Sequence, residues 1–233
     1  MTIRRLTACK SSASSPYDGG VLHSTIDDQV RADATNMAFA DWGLSTVIDE
    51  NIDAPVICRD EFERLHAMAR IDAAWPIGNA GLIHVYGYLS STVQTPHGLK
   101  RDRWLDGALA RALGLSPDGL LLQGTGTLLS RVTTAVLPRL LDPPKDALLL
   151  LEHQSPDRLV AVRTVVVGFD SAAALLYGVR EDGRMRAITA FPLVAASASF
   201  CQSLVEQPAR LRYNAAASTL SPRAELAASL CTQ

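Results

Sequence analysis

The sequence predicts an α+β fold: a mainly antiparallel sheet with helices packed on one face, in a single domain. Three observations lead there. The chain has 233 residues, 48% hydrophobic and 20% charged, which is ordinary globular usage and enough length for one full core. Its first 140 or so residues carry helical spacings interrupted by short apolar runs, with no strict βαβ alternation. After "DPPKD" the character changes to four β-rich runs separated by "QSPD", "DS" and "EDG", short turns that imply an antiparallel meander.

Taken in order, residues 1–24 are rich in Ser, Gly and Ala and read as a flexible N-terminal arm. From Thr25, Val30, Ala34, Met37, Ala38 and Trp42 recur at helical spacing, with Thr25 or Asp27 as cap and Gly43 as stop. "LSTVIDE" is a short strand. A second helix starts near Asp60, burying Phe62, Leu65, Met68 and Ala69. Gly78 to Gly81 mark a turn. The next stretch, "LIHVYGYLS" (residues 82–90), alternates as a half-buried strand does: Ile83, Val85, Gly87 and Leu89 on one face, His84, Tyr86, Tyr88 and Ser90 on the other. "QTPHG" breaks it. Residues 102–113 form a helix closed by Gly114, "SPDG" turns, and a helix beginning after "GTGT" runs until Pro138 bends or ends it. Beyond the meander comes a last helix over residues 195–206. The domain spans 25–213, and 214–233 form a frayed tail in which "RAELAASL" allows a short helix.

Several function classes are disfavoured. The formal net charge of −2 provides no basic field for nucleic acid, and no module of that kind is present. No run approaches eighteen apolar residues, and the N-terminus lacks the apolar core of a secretory signal, so a cytoplasmic protein is expected, with no membrane partner. The five histidines and four cysteines have no metal-ligand spacing, and no nucleophile elbow or phosphate loop occurs, so no metal and no cofactor is expected. Cys58, at the start of a helix, fits a buried small hydrophobe or an activated thiol. Only Lys10, Lys100 and Lys145 are lysines, so a homodimer, or a hetero-complex with a related subunit, is expected from the low lysine content and a mean hydropathy of +0.11.

The candidate site is the wall made by His84, Tyr86 and Tyr88, which offers hydrogen bonds, rings and a group that titrates near neutrality. A solvated strand face accounts for the same residues. Lys100, Arg101 and Arg103 crowd the predicted helix start, where the dipole disfavours cations unless an anion completes the site. A solvated turn with Asp102 and Asp106 is the plainer alternative. In "QGTGTLLSR", Thr127 caps a helix and Arg131 lies one turn beyond, a second place for an anion or only a flexible turn. Asp49 and Glu50, in "STVIDENID", are candidate bases or exposed loop carboxylates.

"RWLDGALARALGL", followed later by "DRLVAVRTVVV", resembles chorismate-lyase-like proteins, which implies an antiparallel sheet with flanking helices. In size, composition and lack of a known motif, the whole chain also resembles orphan actinobacterial proteins of antibiotic clusters, the paired sulfate-eliminating, aziridine-forming enzymes of the azinomycin type. The expected function is therefore a cofactor-independent bacterial enzyme of specialised-metabolite biosynthesis. It would act on an anionic small-molecule substrate by a lyase, elimination or ring-closing reaction. His84, Asp49 or Glu50 would be the base, with Tyr86, Tyr88, Lys100, Arg101, Arg103, Thr127 and Arg131 binding substrate. A non-catalytic subunit of a heteromeric complex and a chorismate-lyase-like enzyme or ligand-binding domain are the alternatives.

Overall fold

The computed structural model describes residues 19–145, 147, 149–154, 160–193 and 198–206. Within them the chain is α+β, and its main sheet is antiparallel throughout. Strands β7 (Leu149–Gln154), β8 (Val160–Val167), β9 (Ala173–Glu181) and β10 (Arg184–Leu193) follow one another in the order β10-β9-β8-β7. This is the expected meander, and its last turn is chemically specified. Asp182 and Gly183 join β9 to β10 with φ of 49° and 79°, the two positive angles of the tight hairpin that suits twisted strands.

Three short pairings precede the sheet. β1 (Leu44–Thr46) pairs with β4 (Ile77–Asn79), β2 (Ile48–Asp49) with β3 (Ala54–Pro55), and β5 (Gln94–Thr95) with β6 (Gly98–Leu99). The helices are α1 (Gly19–Thr35), α2 (Arg59–Ala69), α3 (Tyr88–Ser90), α4 (Asp102–Leu105), α5 (Ala108–Ala112), α6 (Leu128–Leu141) and α7 (Ala198–Glu206). α1 begins inside the stretch whose composition suggested an arm, and it ends before Met37, a left-handed residue at φ 56°, so that a separate 3-10 turn carries the chain to Trp42. The tail from residue 214 lies outside the described residues.

The core is sandwiched between one face of the sheet and the helices. Val162, Val166, Ala174, Leu176, Met185, Ala187 and Ala190 meet Leu109, Leu113, Val132, Val136 and Leu140 of α5, α6 and their connection, all essentially buried. Burying this apolar surface, at about 25 cal/mol per Å², is the main drive of the fold. The opposite face holds smaller clusters. Ala161, Tyr177, Val179 and Ile188 form one; Val165 and Leu175, covered in part by Phe191, Leu193 and Phe200 of α7, form another.

Two further elements differ from the sequence reading. Residues 82–90 are not a strand. They are a π-helical segment, Leu82–Gly87, that runs directly into α3. The Asn79 side chain starts this helix, its Oδ1 accepting from the N–H groups of Gly81 (3.0 Å) and Leu82 (3.3 Å). The alternating pattern misled because the segment is buried on every side: Leu82, Ile83, Val85 and Tyr86 are all within 1% of zero exposure. Where no side faces water, alternation carries no information about sides. The helix expected over 102–113 is likewise two pieces, since Gly107 at φ +70° separates α4 from α5. A Cβ there would lie 3.0 Å from Pro117, so glycine is required on two counts.

Candidate functional site

The helical form of residues 82–90 rearranges the expected wall. His84 and Tyr88 are four residues apart and share a face, whereas Tyr86 points away from them. Two separate polar clusters result.

The first is centred on Tyr88. The His84 ring stands edge-on to it, centroids 4.8 Å apart and planes at 69°. Two cations lie over the Tyr88 ring: Lys100 Nζ at 5.7 Å and Arg103 Cζ at 5.1 Å from its centroid. The β5–β6 hairpin delivers both. Its tight turn is held by Thr95, whose hydroxyl donates to Gly98 O (2.8 Å) and accepts from His97 N–H (3.1 Å), and Gly98 takes φ +82°. Lys100 is ion-paired with Asp49 of β2. Asp49 is fixed in turn by Asn51, whose backbone N–H (2.9 Å) and side-chain amide (3.1 Å) both donate to its Oδ1. Arg103 reaches the far face of the sheet: Nη1 donates to Thr189 Oγ1 (3.0 Å), and Cζ lies 5.8 Å from the Phe191 centroid. The guanidinium thus lies near two aromatic rings. Among the described residues it has no carboxylate at ion-pair distance.

Behind this group, His84 Nε2 is hydrogen-bonded to Ser45 Oγ at 2.7 Å, while its Nδ1 is buried without a partner. Burial, and then the Arg103 and Lys100 charges, hold the imidazole well below its ordinary pKa, so the ring is neutral. Burial raises the Asp49 carboxyl, but the Lys100 and Asn51 contacts outweigh it and leave it below the usual carboxylate range. The Tyr88 hydroxyl is pushed up to about 12, first by burial. Burial also lowers Arg103 from the ordinary guanidinium value.

The second cluster contains Tyr86 and Thr127. The Tyr86 and Thr127 hydroxyls both donate to the buried carboxyl of Asp33 on α1, the latter at 2.6 Å. Burial raises the Asp33 carboxyl against those two bonds. Thr127 also caps α6 by accepting from Ser130 N–H (3.1 Å). Arg131 donates to the carbonyls of Gly119 (2.8 Å), Leu121 (2.6 Å), Leu122 (3.3 Å) and Thr127 (3.3 Å), and so clamps the loop before its own helix. Its donors are spent on that loop, which is why the anion reading of "GTGT" loses its cation.

The sequence candidates therefore divide. His84, Asp49, Tyr88, Lys100 and Arg103 come together; Tyr86, Thr127 and Arg131 form a separate, structural group. Glu50 is exposed beside Asp49. Arg101, with its Nε 4.0 Å from Asp102 Oδ1, stands beside the first cluster without touching Tyr88. The cations do not crowd the start of a long helix, because α4 is a single turn with little dipole of its own. Sequence reasoning missed Ser45, Thr189 and Phe191, which come from β1 and β10. No local pattern in "RMRAITAF" marks Thr189 and Phe191, since their role depends on Arg103 crossing to the sheet. Cys58 precedes α2 as a half-buried free thiol that makes no side-chain cap.

Among the described residues, no three His, Cys, Asp or Glu side chains are grouped to hold a metal ion, and no helix is long and apolar enough to cross a membrane. Comparison of the chain with protein-family models, curated proteins and solved structures finds no match.

Proposed function

We propose that the protein is a cofactor-independent enzyme of bacterial small-molecule, specialised-metabolite biosynthesis, acting in the cytoplasm on an anionic substrate held at Arg103. The observation that carries this reading is the Arg103 guanidinium itself. It is half-buried, lies close to the Tyr88 and Phe191 rings, and among the described residues has one hydrogen bond but no carboxylate at ion-pair distance. A half-buried cation without a carboxylate is only partly compensated by solvent. A substrate anion would supply the missing charge through the donors that Thr189 leaves unused. His84 Nδ1 and the Asp49 carboxylate are the candidate proton acceptors within the same group. A lyase, elimination or ring-closing reaction suits such a set, because cations that bind an anion also stabilise a departing anionic group. This reading is consistent with the resemblance to azinomycin-type aziridine-forming enzymes and with that to chorismate-lyase-like proteins.

The test is mass action on the melting temperature. Small oxyanions such as acetate, sulfate and phosphate, compared with chloride at equal ionic strength, are expected to include at least one that raises it, by about 2.7 kcal/mol of stability at a hundred times Kd. Arg101→Gln/Arg103→Gln should abolish the difference while the protein still melts cooperatively. Equal shifts for every anion would remove the reading.

One observation favours the second reading, a subunit of a homodimer or hetero-complex. Among the described residues β7 is an edge of the sheet, where another chain can add a strand. Light scattering across micromolar concentrations should then give a mass above 25.0 kDa. A constant monomer mass would count against it.

A further inference from the structure

We infer that His66 is an acid-sensitive latch on the central helix (residues 82–90). The fold closes around its neutral ring, and a proton on that ring releases the start of the helix and the strand behind the group at Tyr88. The latch stands on its own geometry; that its release also governs ligand binding rests on the reading above, that the group around Arg103 is a site.

His66, on α2, is buried and uses both ring nitrogens. Nε2 accepts from the Asn79 N–H at 3.0 Å, so it carries no proton. The proton is on Nδ1, which donates to Phe62 O at 2.8 Å. The backbone on either side thus sets both the tautomer and the charge. The ring has no room to turn away. A Cβ on Gly78 would lie 2.2 Å from Nε2, so β4 passes directly across it, and the Phe62 ring is 4.1 Å away, centroid to centroid.

Asn79 connects this ring to the group at Tyr88. Its Oδ1 caps the central helix through the N–H groups of Gly81 and Leu82, and its Nδ2 donates to Phe39 O at 3.1 Å. β4 pairs with β1 and sets Gly78 opposite Ser45, the hydrogen-bond partner of His84. A proton on Nε2 would put two donors face to face at the Asn79 contact and bury a charge. The strand must then leave the ring, and the cap and the Ser45 pairing go with it.

The elements around α2 do not offset that charge. α1 carries Asp27, taken by Arg64, Asp33, held by Tyr86 and Thr127, and Asp28 with Arg31 on the solvent side. On α2 itself Glu61 pairs with Arg64 and Glu63 with Arg59. The central helix presents His84, bonded to Ser45, and β1 and β4 have no titratable side chain. Burial holds the His66 imidazole below its ordinary value of 6.5. The stability tied to the neutral ring is therefore present above that unfolded value and is lost as the pH falls from it toward the folded one.

The experiment is hydrogen exchange of the full chain between about pH 7 and about pH 5, expressed as protection factors to remove the intrinsic pH effect. Protection of Asn79, Gly81 and Leu82 should fall, approaching tenfold for each unit below about 6.5, while Val162 and Leu176 in the sheet keep theirs. His66→Gln, which offers Asn79 an acceptor that does not titrate, should keep protection at all five over the same range. Should that variant not fold, ring-nitrogen NMR of the parent decides, with the Nδ1–H tautomer and a bare Nε2 expected at about pH 7. Protection that ignores pH, an equal loss throughout the sheet, a loss that persists in His66→Gln, or a protonated Nε2 near neutrality would each overturn the latch. Failure of the anion melting test would leave the latch standing and remove only its link to binding.

Discussion

Val85→Asp is expected to abolish cooperative folding near neutral pH. Val85 has no exposure and sits in the main core with Ile26, Val30, Leu129 and Trp42. A carboxylate there has no cation or donor provided for it, and burying it unpaired costs several kcal/mol, against a total stability of about 5–15 kcal/mol. What the fold can do instead is protonate the new group, so any residual folding should improve on acidification. The same is expected of Tyr86→Asp. The pair of variants separates helix from strand. In a half-buried strand, adjacent positions face opposite ways, and one of the two charges would be tolerated. On a helix buried all round, neither is. Circular dichroism melts that leave either variant within a few degrees of the parent would mean that the segment has a solvent face after all.

The same segment shows which parts of the structure local sequence can reveal. The meander was legible because turns are local chemistry: Asp182 and Gly183 dictate a tight hairpin whatever surrounds them. α2 and α6 were legible because each has an apolar stripe against a polar face, and Thr127 is a cap that acts within three residues. The central helix lacks such a contrast. Its β-branched and aromatic residues favour strands only weakly, and packing on all sides overrides that preference. One signal for it was present, in Asn79 ahead of an uninterrupted run, which suits a helix cap better than the turn read there. Of the candidate site, the chemistry was legible and the pairing was not. Asp49 and Lys100 were singled out for different reasons, one as a loop carboxylate and one as part of a charge cluster. That they meet depends on the β2–β3 and β5–β6 hairpins converging over the central helix. Thr189 was invisible for the same reason.

Lys100→Met should destabilise the protein by about 3 kcal/mol, the low end of what breaking a buried ion pair costs. The pair is mostly withdrawn from water, with side-chain exposures of 16% for Lys100 and 5% for Asp49. Methionine keeps the apolar stem over Tyr88 and removes the charge, leaving the carboxylate among low-dielectric surroundings. Two features limit the cost. Asn51 still donates twice to Asp49 Oδ1, and the Arg103 charge remains nearby. The signature that distinguishes a buried pair from an ornamental one is its pH dependence. In the parent, the Asp49 carboxyl lies below its unfolded value of 3.8, so its contribution is present above that pH and is lost as the pH falls through the folded value. Without Lys100, its hydrogen bond and its charge no longer offset burial, and the carboxyl rises from its place in the parent. The penalty is then greatest at neutral pH and is relieved as acid protonates the group in the folded state. The difference between parent and variant in urea unfolding should therefore shrink on acidification. Asp49→Asn/Lys100→Met, which leaves no charge to strand, should recover part of the loss at neutral pH. A single variant costing under about 1 kcal/mol, with no pH dependence, would be the behaviour of an exposed pair, and the group around Tyr88 would then be a solvated surface without the low dielectric that an anion site there requires.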